Sequence, residues 1–245
     1  MKNFKLTIQY DGSRYKGYKN QKDNDLTIQG KLEAVLSKMA EEKVIVIGSE
    51  HTDVGVHAEN YVANFKTNCA FSAGMMLDYL YEYLPEDIVV KTLEEVEERF
   101  HAKYNVKSKT YVYTVNNNAK RDVFTRKYTY HVEESLDITS MKEASQYLVG
   151  THDFQSFTSL KSDSKSTIRT IEHIVTTVEA GVVKIEIKAN DFLWNMPRMI
   201  IGALIEVGQG DMKPQAVKTR LEQETKPTHA PMAKAKALSL VEVAY

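Results

Sequence analysis

The order in which strand and helix signals alternate over the first hundred residues limits this chain more than any other property. Phe4 to Tyr10 alternates apolar and polar side chains and stops at Asp11-Gly12, the mark of a half-buried strand ending in a turn. Thr27 offers an N-cap oxygen for a helix over 28–40, with Leu32, Val35, Leu36 and Met39 spaced for one face. Strands are predicted over 44–47 and 61–65, a second helix over 72–84 stopped by Pro85, and a further strand over 88–93.

That order, βαββαβ, is the ferredoxin-like pattern, an antiparallel sheet with its helices packed on it. The second half opens with a strand over 106–115, strand signals near 126–132 and a helix over 138–148. Strands over 168–179 and 182–189, a helix over 192–207, a short helix over 214–223 and a last strand over 238–243 complete it. It follows the order of the first half with insertions, without an internal sequence repeat. The expectation is an α+β chain of two halves, 1–105 and 106–245.

Charge narrows the function. The chain carries 32 Lys+Arg against 33 Asp+Glu, a net charge of −1, so it does not coat nucleic acid through bulk charge. A local basic surface remains compatible with that total, because phosphate binding depends on where cations sit. The single cysteine, Cys69, leaves no room for an internal disulfide framework or an all-Cys zinc site and suits a reducing cytosol. The opening MKNFKLTIQYDG has no apolar core of a secretory signal, and the apolar run 199–205 is too short to span a bilayer. A cytoplasmic protein without a membrane partner is expected.

Three segments hold chemistry-bearing residues. In Glu50-His51-Thr52-Asp53-Val54-Gly55-Val56-His57-Ala58, Asp53 and Gly55 read either as turn formers or as a carboxylate held on a rigid loop between strands. A rival reading is a metal site of His51, Asp53 and His57, with His152 as a further ligand. In the strand Lys107-Ser108-Lys109-Thr110-Tyr111-Val112-Tyr113, alternation puts Lys107, Lys109, Tyr111 and Tyr113 on one face. Such a face suits phosphates and a stacked base, or is an ordinary solvated face. Further cations gather at Arg14, Lys16, Lys19 and Lys22, at Lys120, Arg121, Arg126 and Lys127, and at Lys161, Lys165 and Arg169. In the third segment, 191–202, Pro197 marks a helix start. Arg198 then stands in the first turn among Met and Ile, where both the helix dipole and desolvation call for an anionic partner.

Taken in order, these segments resemble the tRNA pseudouridine synthase A (TruA) family. Tyr10-Asp11-Gly12-Ser13-Arg14-Tyr15-Lys16-Gly17-Tyr18-Lys19-Asn20-Gln21 is similar to the family's YDGxxYxGWQxQ, and Thr27-Ile28-Gln29-Gly30-Lys31-Leu32-Glu33 to TVQGxLE. His51-Thr52-Asp53-Val54-Gly55-Val56-His57-Ala58 resembles RTDAGVHA, and Leu84-Pro85-Glu86-Asp87-Ile88 matches LPEDI. Phe100-His101-Ala102-Lys103 with Lys109-Thr110-Tyr111-Val112-Tyr113, then Gly150-Thr151-His152-Asp153-Phe154, and Phe192-Leu193-Trp194-Asn195-Met196-Pro197-Arg198 continue the match.

The resemblance implies a pseudouridine synthase fold, two ferredoxin-like halves with antiparallel sheets around a central RNA-binding cleft, in a homodimer. It implies isomerisation of uridine to pseudouridine in the tRNA anticodon stem-loop, at positions 38 to 40, without cofactor or metal. Asp53 is then the catalytic carboxylate, Tyr111 the ring that stacks on the flipped base, and Arg198 the partner of Asp53. Arg14, His51, Lys107, Lys109, Lys161, Lys165 and Arg169 are expected to hold the RNA. The family's Arg before Thr-Asp is His51 here, its Trp is Tyr18, its His before Met is Asn195, and its Val before Arg is Pro197. These departures raise a second reading, a tRNA-binding paralogue with little or no catalysis; the third is a metal-dependent hydrolase. With so balanced a charge, cations must concentrate on one face, and the acids 94–98 are expected on outer helices.

Overall fold

The computed structural model describes residues 1–21, 26–160, 166–223 and 231–245. They form two compact units, Met1–Lys107 with Ser239–Tyr245, and Ser108–Leu238. The last strand, which chain order puts with the second half, thus lies largely in the first unit.

In the first unit, β1 (Lys2–Tyr10) leads through α1 (Ile28–Ala40) to β2 (Val46–Gly48) and β3 (His57–Thr67), then through α2 (Ala73–Tyr83) to β4 (Ile88–Val96). β1 pairs antiparallel with both β3 and β4, and β2 pairs antiparallel with β3, giving the order β4-β1-β3-β2 of a ferredoxin-like sheet. The terminal strand β10 (Leu238–Ala244) joins β3 in parallel where β2 does not reach, Ser239 opposite His57 and Leu240 opposite Ala58. The helix ends are local chemistry. Thr27 Oγ1 accepts from Gly30 N–H at 3.1 Å, and Ser72 Oγ accepts from Met75 N–H at 3.3 Å. Ile28, Leu32, Leu36 and Met39 of α1 and Met76 and Leu80 of α2 turn inward, with Phe4, Leu6, Ile8 and Phe65 of the sheet also buried.

The acids expected on outer helices lie instead on β4 and in the turn after it. Glu94 and Glu95 are on β4, where they meet Lys5 and Lys2 of the neighbouring strand at 3.0 and 2.9 Å. A run of Glu reads as helical, but β4 continues its pairing with β1 as far as Val96 opposite Asn3, which puts Glu94 and Glu95 on an edge strand.

The second unit contains β5 (Ser108–Asn116), the two-residue β6 (Tyr130–His131), α3 (Ile138–Gln146), β7 (Gly150–Asp153), β8 (Ile168–Glu179), β9 (Val182–Ala189), α4 (Met196–Gln209) and α5 (Pro214–Leu221). Its strand order, β5-β9-β8-β7, repeats β1-β3-β2 of the first unit in β5-β9-β8. β8 and β9 form a hairpin whose two-residue turn, Ala180-Gly181, takes positive φ at both positions. α4 is buried on nearly every side, from Met199 to Val207. It starts at Met196, not at 192, because Asn195 adopts the left-handed conformation (φ 62) that no helix interior accepts. It ends at Gly210 (φ 82), whose N–H returns to the last carbonyls. The strand expected near 126–132 shrinks to Tyr130–His131, since 120–129 is a braced turn. Among the described residues no helix is long and apolar enough to cross a membrane.

Candidate active site

Asp53 sits half-buried in the loop between β2 and β3, and the peptides around it are fixed on both sides. Thr52 C=O accepts from Tyr18 N–H at 3.1 Å, and Asp53 C=O accepts from Val56 N–H at 3.1 Å across a turn closed by Gly55 (φ 79). The Thr52 hydroxyl lies 2.7 Å from the Tyr10 hydroxyl. Two glycines of the first motif make the approach possible. A Cβ on Gly12 would stand 2.0 Å from the Val56 carbonyl oxygen, and one on Gly17 (φ 88) would stand 2.8 Å from the Thr52 carbonyl oxygen. His57 Nδ1 accepts from Gly12 N–H at 3.1 Å and lies 3.2 Å from Asp11 Oδ1.

Behind the loop stands a buried aromatic block. Tyr18 and Tyr61 stack at 4.3 Å, and the Tyr61 hydroxyl donates to Glu50 C=O while accepting from Glu50 N–H at 3.2 Å. Burial pushes the hydroxyl pKa of Tyr10, Tyr18 and Tyr61 well up, so all three are neutral scaffolds. Tyr18 thereby shows what an aromatic at that position does: it backs the Asp53 loop. His51 is exposed, and its backbone N–H donates to the Glu50 carboxylate at 2.7 Å. Arg14 is gripped by Asp87, with Nη2 at 2.7 Å and Nε at 2.9 Å, and the Tyr15 hydroxyl donates to the same carboxylate at 2.5 Å. Asp87 is the acid of the LPEDI segment, so one motif orients the cation of another.

Tyr111 and Arg198 belong to the second unit. Tyr111 is buried on β5, and its ring meets Phe192 nearly at right angles (82°) with centroids 5.2 Å apart. Lys109 lies two residues earlier on the same inward face and is 4% exposed, its ammonium 2.6 Å from Asp191. Arg169 reaches Asp191 at 3.6 Å and donates to the carbonyls of Ser166 and Ile168 at 3.0 and 2.7 Å. Of the two readings of this strand face, the ordinary solvated one does not hold: Lys109, Tyr111 and Tyr113 are all buried, while Lys107, exposed, precedes β5 in the first unit. Asp191 gathers two of the cations expected to meet phosphate, a role that no sequence signal marked. Lys22, Lys161 and Lys165 lie outside the described residues.

Arg198 is half-buried in the first turn of α4. Its Nε donates to Ala233 C=O at 2.9 Å and its Nη1 to Asn195 Oδ1 at 3.3 Å. The Asn195 amide donates in turn to Ser159 Oγ at 2.9 Å, and Ser159 N–H and Thr158 Oγ1 donate to Trp194 C=O at 3.1 and 2.9 Å. The arginine most deeply buried is another one. Arg220, from a polar stretch, lies 4.2 Å over the Phe157 ring and donates to Ser156 C=O at 3.3 and 3.0 Å; burial lowers its pKa to about 10. Of the residues of the metal reading, His51, Asp53 and His57 are in the first unit, whereas His152 is on β7, its Nε2 3.0 Å from Val149 C=O. Among the described residues no group of three or more His, Cys, Asp or Glu side chains is placed to hold a metal ion.

Comparison with known proteins gives this arrangement its class. A family model described as tRNA pseudouridine synthase matches residues 6–105 and 144–245. The chain is 55% identical over 245 residues to tRNA pseudouridine synthase A 1 of Clostridium tetani, and 45% identical to tRNA pseudouridine synthase A 2 of Bacillus cereus, with 100% of both chains covered in each case. A structure titled "Crystal Structure of a Cbf5-Nop10-Gar1 Complex" is 12% identical with a TM-score of 0.36, covering 97% of this chain and 48% of that one. At that level the likeness bears no weight. The chain belongs to the tRNA pseudouridine synthase family. Within it, the chain is of the A (TruA) type, an isomerase of uridine in tRNA.

Proposed function

We propose that this enzyme converts uridine to pseudouridine in the anticodon stem-loop, at positions 38 to 40, with Asp53 as the catalytic carboxylate. The observation that carries the reading is the loop itself. An acid half-buried on a turn, with its flanking peptides tied to β1-side backbone and buried tyrosines, is held for a task that an ordinary turn former does not need. In the reaction the N1–C1′ glycosidic bond breaks, the uracil turns, and a C5–C1′ bond forms. The C5 proton leaves and N1 gains one, so the composition is unchanged. An ionised carboxylate serves either as nucleophile or as the base that removes the proton.

Arg198 pairs with Asp53 in this reading and keeps it ionised. Tyr111 stacks on the base once it leaves the helix, offsetting lost stacking. Arg14, His51 and Lys107 are the cations and near-cations that meet RNA, together with Lys161 and Lys165. Lys109 and Arg169 act through Asp191, shaping the floor beside Tyr111. The enzyme works as a cytoplasmic homodimer and needs no cofactor.

The test is tritium release from C5-labelled uridine in tRNA, with pseudouridine mapped in tRNA from cells with and without the protein. Loss of signal at 38 to 40 in the deletion strain, and a silent Asp53→Asn variant that still binds tRNA, are expected. Undiminished release by Asp53→Asn overturns the role of Asp53. Tight tRNA binding by a wild-type protein that forms no pseudouridine favours the non-catalytic paralogue, which the His51 departure motivates.

A further inference from the structure

The most exposed large apolar side chain among the described residues is Phe124, 94% exposed, flanked by Val123 at 63% and Tyr128 at 47%. Leaving a phenyl ring in water forgoes roughly 1.5–3 kcal/mol of burial. A loose loop hides such a ring by collapsing onto it, but this loop is braced to hold it out. Asp122 accepts from Phe124 N–H at 2.9 Å and from the Thr125 hydroxyl at 2.8 Å. Tyr128 N–H and the Thr129 hydroxyl donate to Thr125 C=O at 2.9 and 3.1 Å. From outside the loop, Lys236 Nζ donates to Arg126 C=O at 2.7 Å, and at its base His131 Nε2 lies 2.8 Å from Asn118 C=O.

The charge around the ring is predominantly positive. Residues 120–128 carry Lys120, Arg121, Arg126 and Lys127 against a single acid, Asp122, whose carboxylate is spent on the turn. Arg126 Nη1 donates to Val123 C=O at 2.8 Å, which folds the guanidinium back onto the tip beside Phe124. An exposed ring with a fixed guanidinium and three further cations, in a chain of net charge −1, is a local concentration that complements a polyanion with aromatic bases. A second copy of this chain offers a net charge of only −1, whereas RNA carries a negative charge on every phosphate. Position agrees with this. β6 returns the loop beside Val115 and Asn116 of β5, so its base stands four residues, about 13 Å, along the strand from Tyr111. The loop lies between the two stretches that the family model matches.

We infer that the 120–128 loop is a preformed RNA-docking finger: Phe124 stacks on an unpaired base of the tRNA while Arg126 and the neighbouring cations hold its phosphates. The inference rests on tRNA being the substrate and adds a contact that none of Asp53, Tyr111 and Arg198 supplies. Because the finger is rigid before it binds, little ordering opposes the contact.

The experiment uses the full chain, an unmodified tRNA transcript, and two variants, Phe124→Ala and the double reversal Lys120→Glu with Lys127→Glu. Phe124→Ala is expected to raise Kd and KM for the transcript about tenfold, within the range for one stacked base, with the loss in KM and not in turnover at saturating tRNA. The double reversal is expected to lower the slope of log Kd against log salt by about 1.4 to 1.8. Sedimentation should be unmoved by either. Wild-type affinity in both variants while pseudouridine still forms overturns the finger and leaves the catalytic reading intact. Altered sedimentation with unaltered tRNA binding assigns the surface to a second copy and also overturns it. Phe124-dependent binding by a wild-type protein that makes no pseudouridine keeps the finger and removes the catalytic reading.

Discussion

Asp53 and Arg198 are held by opposite means. The carboxylate rides on a loop that owes its shape to backbone: carbonyls of Thr52 and Asp53 in hydrogen bonds, glycines at 12 and 17 admitting the close approach, and neutral tyrosines behind. The guanidinium rides on a regular helix and owes its aim to side chains and one carbonyl, Asn195, Ser159 and Ala233. The first arrangement tolerates little change in the scaffold. The second tolerates scaffold change but is sensitive to single polar groups. The largest test of that contrast removes the two ends in turn. In the proposed mechanism Asp53→Asn removes the reacting carboxylate and should cost on the order of 10³-fold or more in turnover. Arg198→Lys keeps the charge but loses the planar fork, and should cost on the order of a hundredfold. Equal losses in single-turnover assays would erase the distinction that the proposed mechanism draws between Asp53 as reacting group and Arg198 as a supporting one.

Next come the scaffolds. Gly12→Ala drives a methyl to 2.0 Å from a backbone oxygen, so the loop must move, and overpacking of this kind costs about 1–3 kcal/mol. Thermal stability and turnover should fall together, because the displaced atoms belong to the loop that carries Asp53. Asn195→Gly is the counterpart in the second unit. Glycine accepts the left-handed backbone at φ 62 without strain, so Tm should hold. The lost amide frees the Arg198 guanidinium on one side, and turnover should drop about tenfold, the worth of one charge-assisted hydrogen bond of about 1.5 kcal/mol. A fall in Tm matching that of Gly12→Ala would show that both regions are held by the same kind of packing.

How legible each region was follows from the same contrast. α1 over 28–40 and the hairpin strands 168–179 and 182–189 have the bounds that capping, alternation and the Ala180-Gly181 turn predict, because those signals are local. Asp53 on a loop between two strands was equally readable. The tyrosine block was not, since stacking of Tyr18 on Tyr61 joins residues 43 apart and nothing in either neighbourhood announces it. β7 is only four residues and has no alternation to read. The burial of Lys109 was not legible because alternation assigns residues to faces without saying which face is wet, and Asp191, 82 residues away, supplies the charge that makes burial tolerable. Arg220 shows the reverse: its sequence neighbours are polar, yet Phe157 and the Ser156 carbonyl enclose it. Strand β10 reaches β3 across the whole second half, a pairing that chain order alone does not favour.

The smallest expected effect concerns the helix caps, where the two units again differ. In the first unit, α1 and α2 are capped by hydroxyls, Thr27 and Ser72, whose hydrogen bonds do not titrate. In the second, α3 is capped by a carboxylate: Asp137 accepts from Ser140 N–H at 3.0 Å and from the Ser140 hydroxyl at 2.7 Å. Those bonds, the hydroxyl foremost, hold the Asp137 pKa below its ordinary value of 3.8. A depressed carboxylate stabilises the fold above its unfolded pKa, and that part is lost as pH falls through the folded value. Asparagine caps nearly as well without titrating. The Tm of the wild type should therefore exceed that of Asp137→Asn by a small margin at pH 7, hold that margin down to about pH 5, and lose it by pH 3 or below. A margin that stays constant from pH 7 to pH 3 would place the stabilisation in the shape of the cap and remove charge from the account. Substituting Thr27→Asn in the first unit supplies the control, a cap change whose effect on Tm should be the same at both pH values.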